Sequence, residues 1–583
     1  MGCNCLKEAL LPLKESSKYA IADAMGESFD DVKEYLHIKR DIEDELHSLL
    51  KKASLKNSKQ LILVCGNVGD GKSHLLSRFY TKYTELMQNF TVHNDATESS
   101  SPTKTNIDEL NQLLKPLSDE NLDAGNDKIV LAINLGTLGN FLAAEFIDCQ
   151  FTKLKGYVER KGILDVGKIE DTCFEPDSPF QFVNFCDHHL FYLTTDGPRS
   201  ELIESAIERV VNNDIKSPFY PAYEKHRQTH PVNCPIRFNF EFLQHPVNRK
   251  RVSQLLIECI VKFNLIISIR ALYNFIYDMI VPYDLVSLDC ETEKKKVENY
   301  SHQDFLKAII PNYLFDHPEL SIIFQYLDKC DPAEKRSEKL DDVIIQLMIS
   351  DKPIRVFQEF VPMDDVGAAY QEAVDDMFGK LLSPREELSI QTFIRSVFFL
   401  QPKDNLALGI GNYHNYMSLL YYYYSGDIKK LKRLFNLIKQ AAMTWYGETN
   451  EGYLNIEFGR QQLQYRISKN VKMDPVPPKC QNCDYDKVKR FEVSMSLNFL
   501  VEKDEIEIPV NYRLFDLACN ISDGYRPTRL DHSDFVRFTR FIERIADSGN
   551  AIQKVVITES SYNRRFELRL DEFGDYCFAE VST

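Results

Sequence analysis

The chain has 583 residues, 44% hydrophobic and 11% aromatic, which is enough apolar surface for several buried cores and too much for a disordered or fibrous chain. Its 70 Lys and Arg stand against 87 Asp and Glu, a net charge of -17, so the molecule as a whole repels polyanions and acidic membrane surfaces. Any contact with nucleic acid has to be local, with Lys51 to Lys59 and Lys429 to Arg433 as the basic clusters that are otherwise solvated faces.

In chain order, Leu6, Leu10 and Leu13, then Val32, Tyr35, Leu36, Ile42, Leu46 and Leu49, recur at helical spacing and predict a helical preface. Lys7, Glu8, Lys14 and Glu15 break its apolar positions, so no signal-peptide core is expected. At Gln60 the period changes. Leu61-Ile62-Leu63-Val64-Cys65 is a continuous apolar run of the kind found in a parallel strand buried on both faces. A glycine-rich turn follows, and then Leu75, Leu76, Phe79, Tyr83 and Leu86 mark one side of an amphipathic helix.

Phe90 to Val92 and Ile129 to Ile133 predict two further strands, with a polar segment, Thr97 to Thr105, and a helix, Ile107 to Leu114, between them. Alternating strand and helix imply a parallel sheet. Phe180 to Phe185 predicts another strand, Ser200 to Val211 a helix, and residues 240–281 a helical lid. The most apolar long stretch, Leu255 to Val281, is interrupted by Glu258, Lys262, Asn264, Arg270 and Asp278, so no membrane segment is expected. The polar run Asp289 to Asn299 marks a boundary after Pro282. Helices are expected at Asp304 to Ile310, Glu386 to Phe399 and Asp427 to Met443. Pro475 to Pro478 reads as a linker, and Phe491 to Leu500 and Phe566 to Leu570 as strands around a helix near Asp534 to Ala546. The expected fold is α/β: a P-loop NTPase core with a parallel sheet, a mostly helical region and a small α+β C-terminal domain. The expected boundaries are 1–58, 59–285, 286–470 and 471–583.

The chemistry centres on Gly66-Asn67-Val68-Gly69-Asp70-Gly71-Lys72-Ser73, a full match to G-x-x-x-x-G-K-[ST] placed between strand and helix. Glycines let backbone N–H groups converge on phosphates, and the helix N-terminus adds partial positive charge. Lys72 is expected on the β/γ-phosphates of ATP and Ser73 on Mg²⁺. Asp70 is an unusual neighbour for phosphate, and its side chain is expected to point away to solvent or to a partner.

Hydrolysis also requires an acid beside Mg²⁺ and a group that orients water. Asp95, ending the run Phe90 to Asp95, reads as the metal-side acid, or else as a cap before Thr97. Asn134, ending the stronger strand, reads as a sensor-type residue for the γ-phosphate or attacking water, or else as a turn residue before Gly136. Arg270, inside the apolar run Ile266 to Leu272, needs an anion, which is either a bound phosphate or an acid such as Asp278. Arg336 reads as a surface cation pairing with Glu338 or Asp341, with a finger across a subunit interface as the alternative.

Three signals are set against bland readings. Cys480-Gln481-Asn482-Cys483 is one C-x-x-C without a second pair at finger spacing, so ordinary thiols are favoured over zinc. His188-His189 reads as surface histidines, and Tyr421 to Tyr424 as core-plus-surface packing rather than a base-stacking platform. Fourteen cysteines without framework spacing read as reduced thiols and favour a cytoplasmic protein.

Beyond the P-loop, the chain resembles the DptF family of phosphorothioation-dependent DNA restriction proteins over almost its full length. The resemblance lies in Leu13 to Ile21, Gly66 to Ser73, Asn94-Asp95-Ala96-Thr97-Glu98-Ser99 and Ile133-Asn134-Leu135-Gly136. It continues in Arg270 to Pro282, Asp331-Pro332 with Arg336-Ser337-Glu338, and Gly524-Tyr525-Arg526-Pro527. It implies a component of a bacterial defence apparatus that attacks DNA lacking the host's sulfur mark, with DptG-like and DptH-like sister subunits as partners. DNA is then met directly or through the complex, and a homo-oligomer is an open alternative. Two readings of different class follow: an ATPase motor or switch that drives a restriction complex, and a nucleotide-binding regulatory subunit with little hydrolysis. A signalling NTPase of another antiviral system is a third.

Overall fold

Gln60–Cys65 forms β1, and every one of its residues is buried. That burial explains the unbroken apolar run, because helices cover both faces of the strand. The protein is described from a computed structural model covering its 583 residues except 1–4, 15–30, 68, 94–105, 124, 165–172, 364–365, 380–386, 402–405, 407, 409–410, 448–451, 457–464, 479–485, 549–554, 560–563, 572, 574 and 582–583. Chain contacts divide it into two compact units. One comprises residues 1–192, 199–260 and 264–408, and the other 193–198, 261–263 and 409–583.

In the first unit, α1 (Asp41–Ser54) precedes β1, and α2 (Lys72–Lys82) follows it after the glycine-rich loop. Then come β2 (Thr91–His93), α3 (Asn106–Leu114), β3 (Lys128–Ile133), α4 (Leu135–Ala143), α5 (Thr152–Arg160) and β4 (Phe180–Asn184). The four strands form a parallel sheet in the order β2-β3-β1-β4. Register sets Cys65 opposite Ile133 on one side and Asn184 on the other.

Alternate residues of β1 serve different layers, as the strand period of two requires. Leu61, Leu63 and Cys65 pack with Leu110, Leu114, Leu138, Phe141, Leu154 and Tyr157 from α3, α4 and α5. Ile62 and Val64 pack with Ile42, Leu46, Leu75, Leu76 and Phe79 from α1 and α2. The connection leaving β1 crosses to β2, and the one leaving β3 crosses back over to β4. Two crossovers of the same hand running in opposite directions must use opposite faces, which is where their helices lie. The carboxyl ends of β1 and β3 therefore flank a topological switch point, the crevice where ligands of open α/β sheets bind.

The unit continues as helices, among them α6 (Tyr220–Thr229), α7 (Pro235–Gln244), α8 (Ile269–Ile280), α9 (Cys290–Glu298) and α10 (Glu387–Leu400). The polar run Asp289 to Asn299 is thus helical, capped by Asp289, with Cys290, Glu293 and Val297 buried. Arg395 of α10 is 2% exposed and holds Asp331 at 2.6 Å and Asp316 at 2.8 Å. Arg336 donates to the carbonyls of Ala333 and Lys335, so it closes its own turn instead of pairing with Glu338 or Asp341.

The second unit is α+β. A three-stranded antiparallel sheet joins β7 (Met473–Val476), β8 (Met495–Val501) and β9 (Asp504–Val510). A five-stranded antiparallel sheet joins β5 (Tyr453–Asn455), β6 (Tyr465–Asn470), β10 (Val555–Glu559), β11 (Arg564–Leu570) and β12 (Tyr576–Val581). The expected linker around Pro475 is instead β7. It is an edge strand, where a proline forfeits no ladder bond on its open side. Tyr421 is buried, while Tyr423 and Tyr424 donate to the carbonyls of Ser496 and Ser494, so the tyrosine run packs as expected. Among the described residues no helix is long and apolar enough to cross a membrane, and eleven cysteines are free thiols.

Candidate functional site

The loop between β1 and α2 is closed by its own side chains. Lys72 Nζ donates to the carbonyls of Gly66 at 3.0 Å and Asn67 at 2.6 Å, spanning the turn from its last residue to its first. Asp70 does not point away as expected. Its Oδ2 accepts the Asn67 N–H at 2.6 Å, folding the carboxylate into the loop. Burial raises its carboxyl pKa above the ordinary value, although the Asn67 N–H and the charges of Lys72 and Arg40 act the other way.

Gly69 and Gly71 have φ of +85° and +93°, the left-handed region that only glycine enters without cost. A Cβ on Gly66 would lie 2.8 Å from Phe185 Cβ, and one on Gly69 would lie 2.8 Å from Ser268 Oγ. The glycines thus serve both turn geometry and close approach. Among the described residues the N–H groups of Gly69, Gly71 and Ser73 donate to nothing, and neither does the Ser73 hydroxyl. Orphan N–H groups at the start of a helix, with its dipole behind them, are what an anion requires.

Four neighbouring segments surround the loop. Arg40, just before α1, donates to Asp70 O at 2.9 Å and lies 4.6 Å over the Phe185 ring. Asn134 follows β3 directly, beside Gly66 in the register, and caps α4 by accepting the Thr137 N–H at 2.7 Å. Its Oδ1 is therefore engaged by the cap, and among the described residues its amide N–H₂ donates to nothing.

Ser268 caps α8 against Gly69, and Arg270 sits half-buried in the first turn of that helix with no hydrogen-bond or ion-pair partner among the described residues. The run Ile266 to Ser268 is a loop, not helix, because Ser268 starts the helix there. Asp278 accepts from Asn274 instead of pairing with Arg270.

The fourth segment follows β4. Asn184 donates to Asp187 Oδ1 at 3.0 Å, and Asn67 Nδ2 donates to Cys186 Sγ at 3.3 Å. Burial pushes the Cys65 thiol up to about 12 and the Cys186 thiol up to about 11, and the charges of both Lys72 and Asp187 act on each thiol. Asp187 is buried, and that shared influence sets it in the neighbourhood of the lysine. His188 is not a surface histidine. Its side chain is 11% exposed and its Nε2 lies 3.3 Å from Glu45 Oε2.

The geometry gathers Gly66, Asn67, Gly69, Asp70, Gly71, Lys72, Ser73, Asn134 and Arg270 around one strand end. Val68, Asp95, Cys480 and Cys483 lie outside the described residues. Arg40 and Asp187 were not singled out from sequence. Arg40 carries no motif, while Asp187, two residues past the predicted strand Phe180 to Phe185, had a signal in its position. No family model, curated protein or solved structure matches the chain.

Proposed function

We propose that the chain is a P-loop nucleoside triphosphatase that binds ATP with Mg²⁺ on Gly66 to Ser73. Its setting, as the resemblance to DptF implies, is a phosphorothioation-dependent restriction system acting on unmodified DNA with DptG-like and DptH-like subunits. One observation carries the nucleotide reading: N–H groups of Gly69, Gly71 and Ser73 at a helix N-terminus that have no acceptor among the described residues, spanned by Lys72, at the switch point of a parallel sheet.

Lys72 is positioned to exchange its two carbonyl partners for phosphate oxygens, gaining charge-assisted bonds for neutral ones. Arg270, a cation without a partner among the described residues in the first turn of the helix that abuts Gly69, supports a lid role against the γ-phosphate. The free amide of Asn134 suits the attacking water. The donor set fits Mg²⁺, which takes oxygen ligands and would neutralise charge on the β- and γ-phosphates. Ser73 would hold it, with Asp95 or Asp187 as the acid. Asp95 stands two residues past the end of β2, and Asp187 three residues past the end of β4, the strand that adjoins β1.

The regulatory reading has its own support. β3, which adjoins β1, ends in an amide whose oxygen is already used as a cap, and an amide cannot replace a metal-side charge. Steady-state ATP hydrolysis by the purified chain, wild type beside Lys72→Ala, with and without DNA and the sister subunits, separates the readings. The ATPase reading expects turnover to fall at least about 10²-fold in the variant. ATP binding without turnover under every condition establishes the regulatory one, and turnover unchanged in Lys72→Ala overturns the site.

A further inference from the structure

A second concentration of reactive side chains lies in the helical part of the first unit. α6 ends on His230, and His226 and His230, one turn apart, stack their imidazoles with ring centroids 3.6 Å apart. Four residues on, Cys234 caps α7 with its Sγ 3.2 Å from His226 Nε2. Glu293 of α9, fully buried, brings Oε1 to 3.7 Å from His230 Nε2. One donor atom from each of His226, Cys234 and Glu293 lies within 4.8 Å of the other two.

Hydrogen bonding within the protein leaves this cluster incomplete. His226 Nδ1, His230 Nε2 and both oxygens of Glu293 are buried without a hydrogen-bond partner. Lys7 Nζ stands 3.0 Å from Glu293 Oε2 as a charge contact, but its protons are aimed at the carbonyls of Leu285 at 2.9 Å and Leu288 at 2.5 Å. A metal-free arrangement would keep an S–H···N bond and one ion pair. It would leave His230 Nε2 and Glu293 Oε1 facing each other beyond bonding distance, in a region where unpaired polar atoms are rare.

We propose that His226, Cys234 and Glu293 form a three-ligand site for a zinc-class divalent cation, with His230 stacked on His226 beside it. Zn–N, Zn–O and Zn–S bonds of about 2.0 to 2.3 Å set tetrahedral edges of roughly 3.3 to 3.7 Å. The Cys234–His226 separation, 3.2 Å, lies close to the lower end of those edges. A mixed N, S and O donor set suits zinc better than magnesium or calcium. Glu293 binds through Oε1 while Lys7 steadies Oε2, the outer-shell pattern that orients a ligating carboxylate. The ion joins α6, the cap of α7 and α9, and through Lys7 it reaches the N-terminal helix Leu6–Leu10. Three protein ligands leave the fourth tetrahedral position to a water molecule.

The test uses the full-length chain. Metal content is measured by mass spectrometry as purified, and the chelator-stripped chain is then titrated with Co²⁺. The expected result is about one equivalent of zinc and a cobalt adduct with tetrahedral d–d bands and a thiolate charge-transfer band. Cys234→Ser, with its far-UV circular dichroism retained, loses the charge-transfer band and binds zinc at least about tenfold more weakly. Cys5→Ser, which alters a nearby thiol outside the ligand set, changes neither. A chain that carries no zinc and gives no cobalt spectrum overturns the site, as does a thiolate band that survives Cys234→Ser or disappears in Cys5→Ser. If Cys234→Ser does not fold, the wild-type cobalt spectrum decides alone, and octahedral bands without thiolate charge transfer refute the proposal.

Discussion

At the scale of single residues, Asp70 is the most testable feature of the loop. Its carboxylate lies among the groups proposed to receive phosphate, and burial already favours its neutral form. Its folded pKa is raised, so the ionised group costs stability once pH exceeds the unfolded value, about 3.9. Asp70→Asn keeps an oxygen for the Asn67 N–H and removes the charge. The variant is expected to melt higher than wild type at pH 7, to converge with it below about pH 3, and to bind ATP several-fold tighter, about 1 kcal/mol of relieved repulsion. Thermal melts across pH and a fluorescent-nucleotide titration check both. Asp187 poses the complementary test: if it is the metal-side acid, Asp187→Asn slows Mg²⁺-dependent turnover at least about tenfold and changes nucleotide affinity little, whereas Asp95→Asn leaves turnover alone. The reverse pattern assigns the role to Asp95. The loop was legible in sequence because its chemistry is contiguous. Arg40 and Asp187 were not, since register and packing bring them in from positions 26 residues before Gly66 and 114 residues after Ser73.

At the scale of elements, β1 was legible because burial on both faces leaves an unbroken apolar run, while β7 was not. A proline in a short polar strand resembles a linker until an edge position makes it harmless. The helix after Asp289 was obscured in the same way, its few buried positions diluted by six charged residues in Cys290–Glu298. Two ion-pair clusters test how elements are fastened. Glu175, ahead of β4, accepts from Arg160 of α5 at 2.7 Å and contacts Lys161 at 2.8 Å, partners that lower its carboxyl pKa to about 2. A depressed folded pKa contributes stability above the unfolded value, about 4.3, that is lost as pH falls through 2. Glu175→Gln should therefore cost about 1 kcal/mol at pH 7, with the difference shrinking between pH 4 and pH 2 in urea melts. Arg395 sits deeper. Replacing it with Met strands the carboxylates of Asp331 and Asp316 and is expected to cost about 3 to 5 kcal/mol, an effect that Asp331→Asn in the same chain should partly relieve.

At the scale of the whole molecule, composition bounded the class of protein but not its division. The chain's last passage from the first unit to the second follows Leu408, inside a stretch where helix follows helix and no change of period marks a border. Each unit has its own layered core, the first around β1 and the second around antiparallel sheets, so calorimetry is expected to resolve two unfolding transitions. A ligand that binds only the native first unit stabilises that unit alone, by about 2.7 kcal/mol at a concentration 100 times its dissociation constant. Saturating ATP with Mg²⁺ should thus raise one transition and leave the other in place, and Lys72→Ala, which also loses the two carbonyl bonds that close the loop, should abolish the shift on adding nucleotide. A shift of both transitions would mean that the units unfold cooperatively. No shift in wild type would place the nucleotide elsewhere or exclude it, and would remove the basis for reading Gly66 to Ser73 as the site through which this acidic molecule is driven.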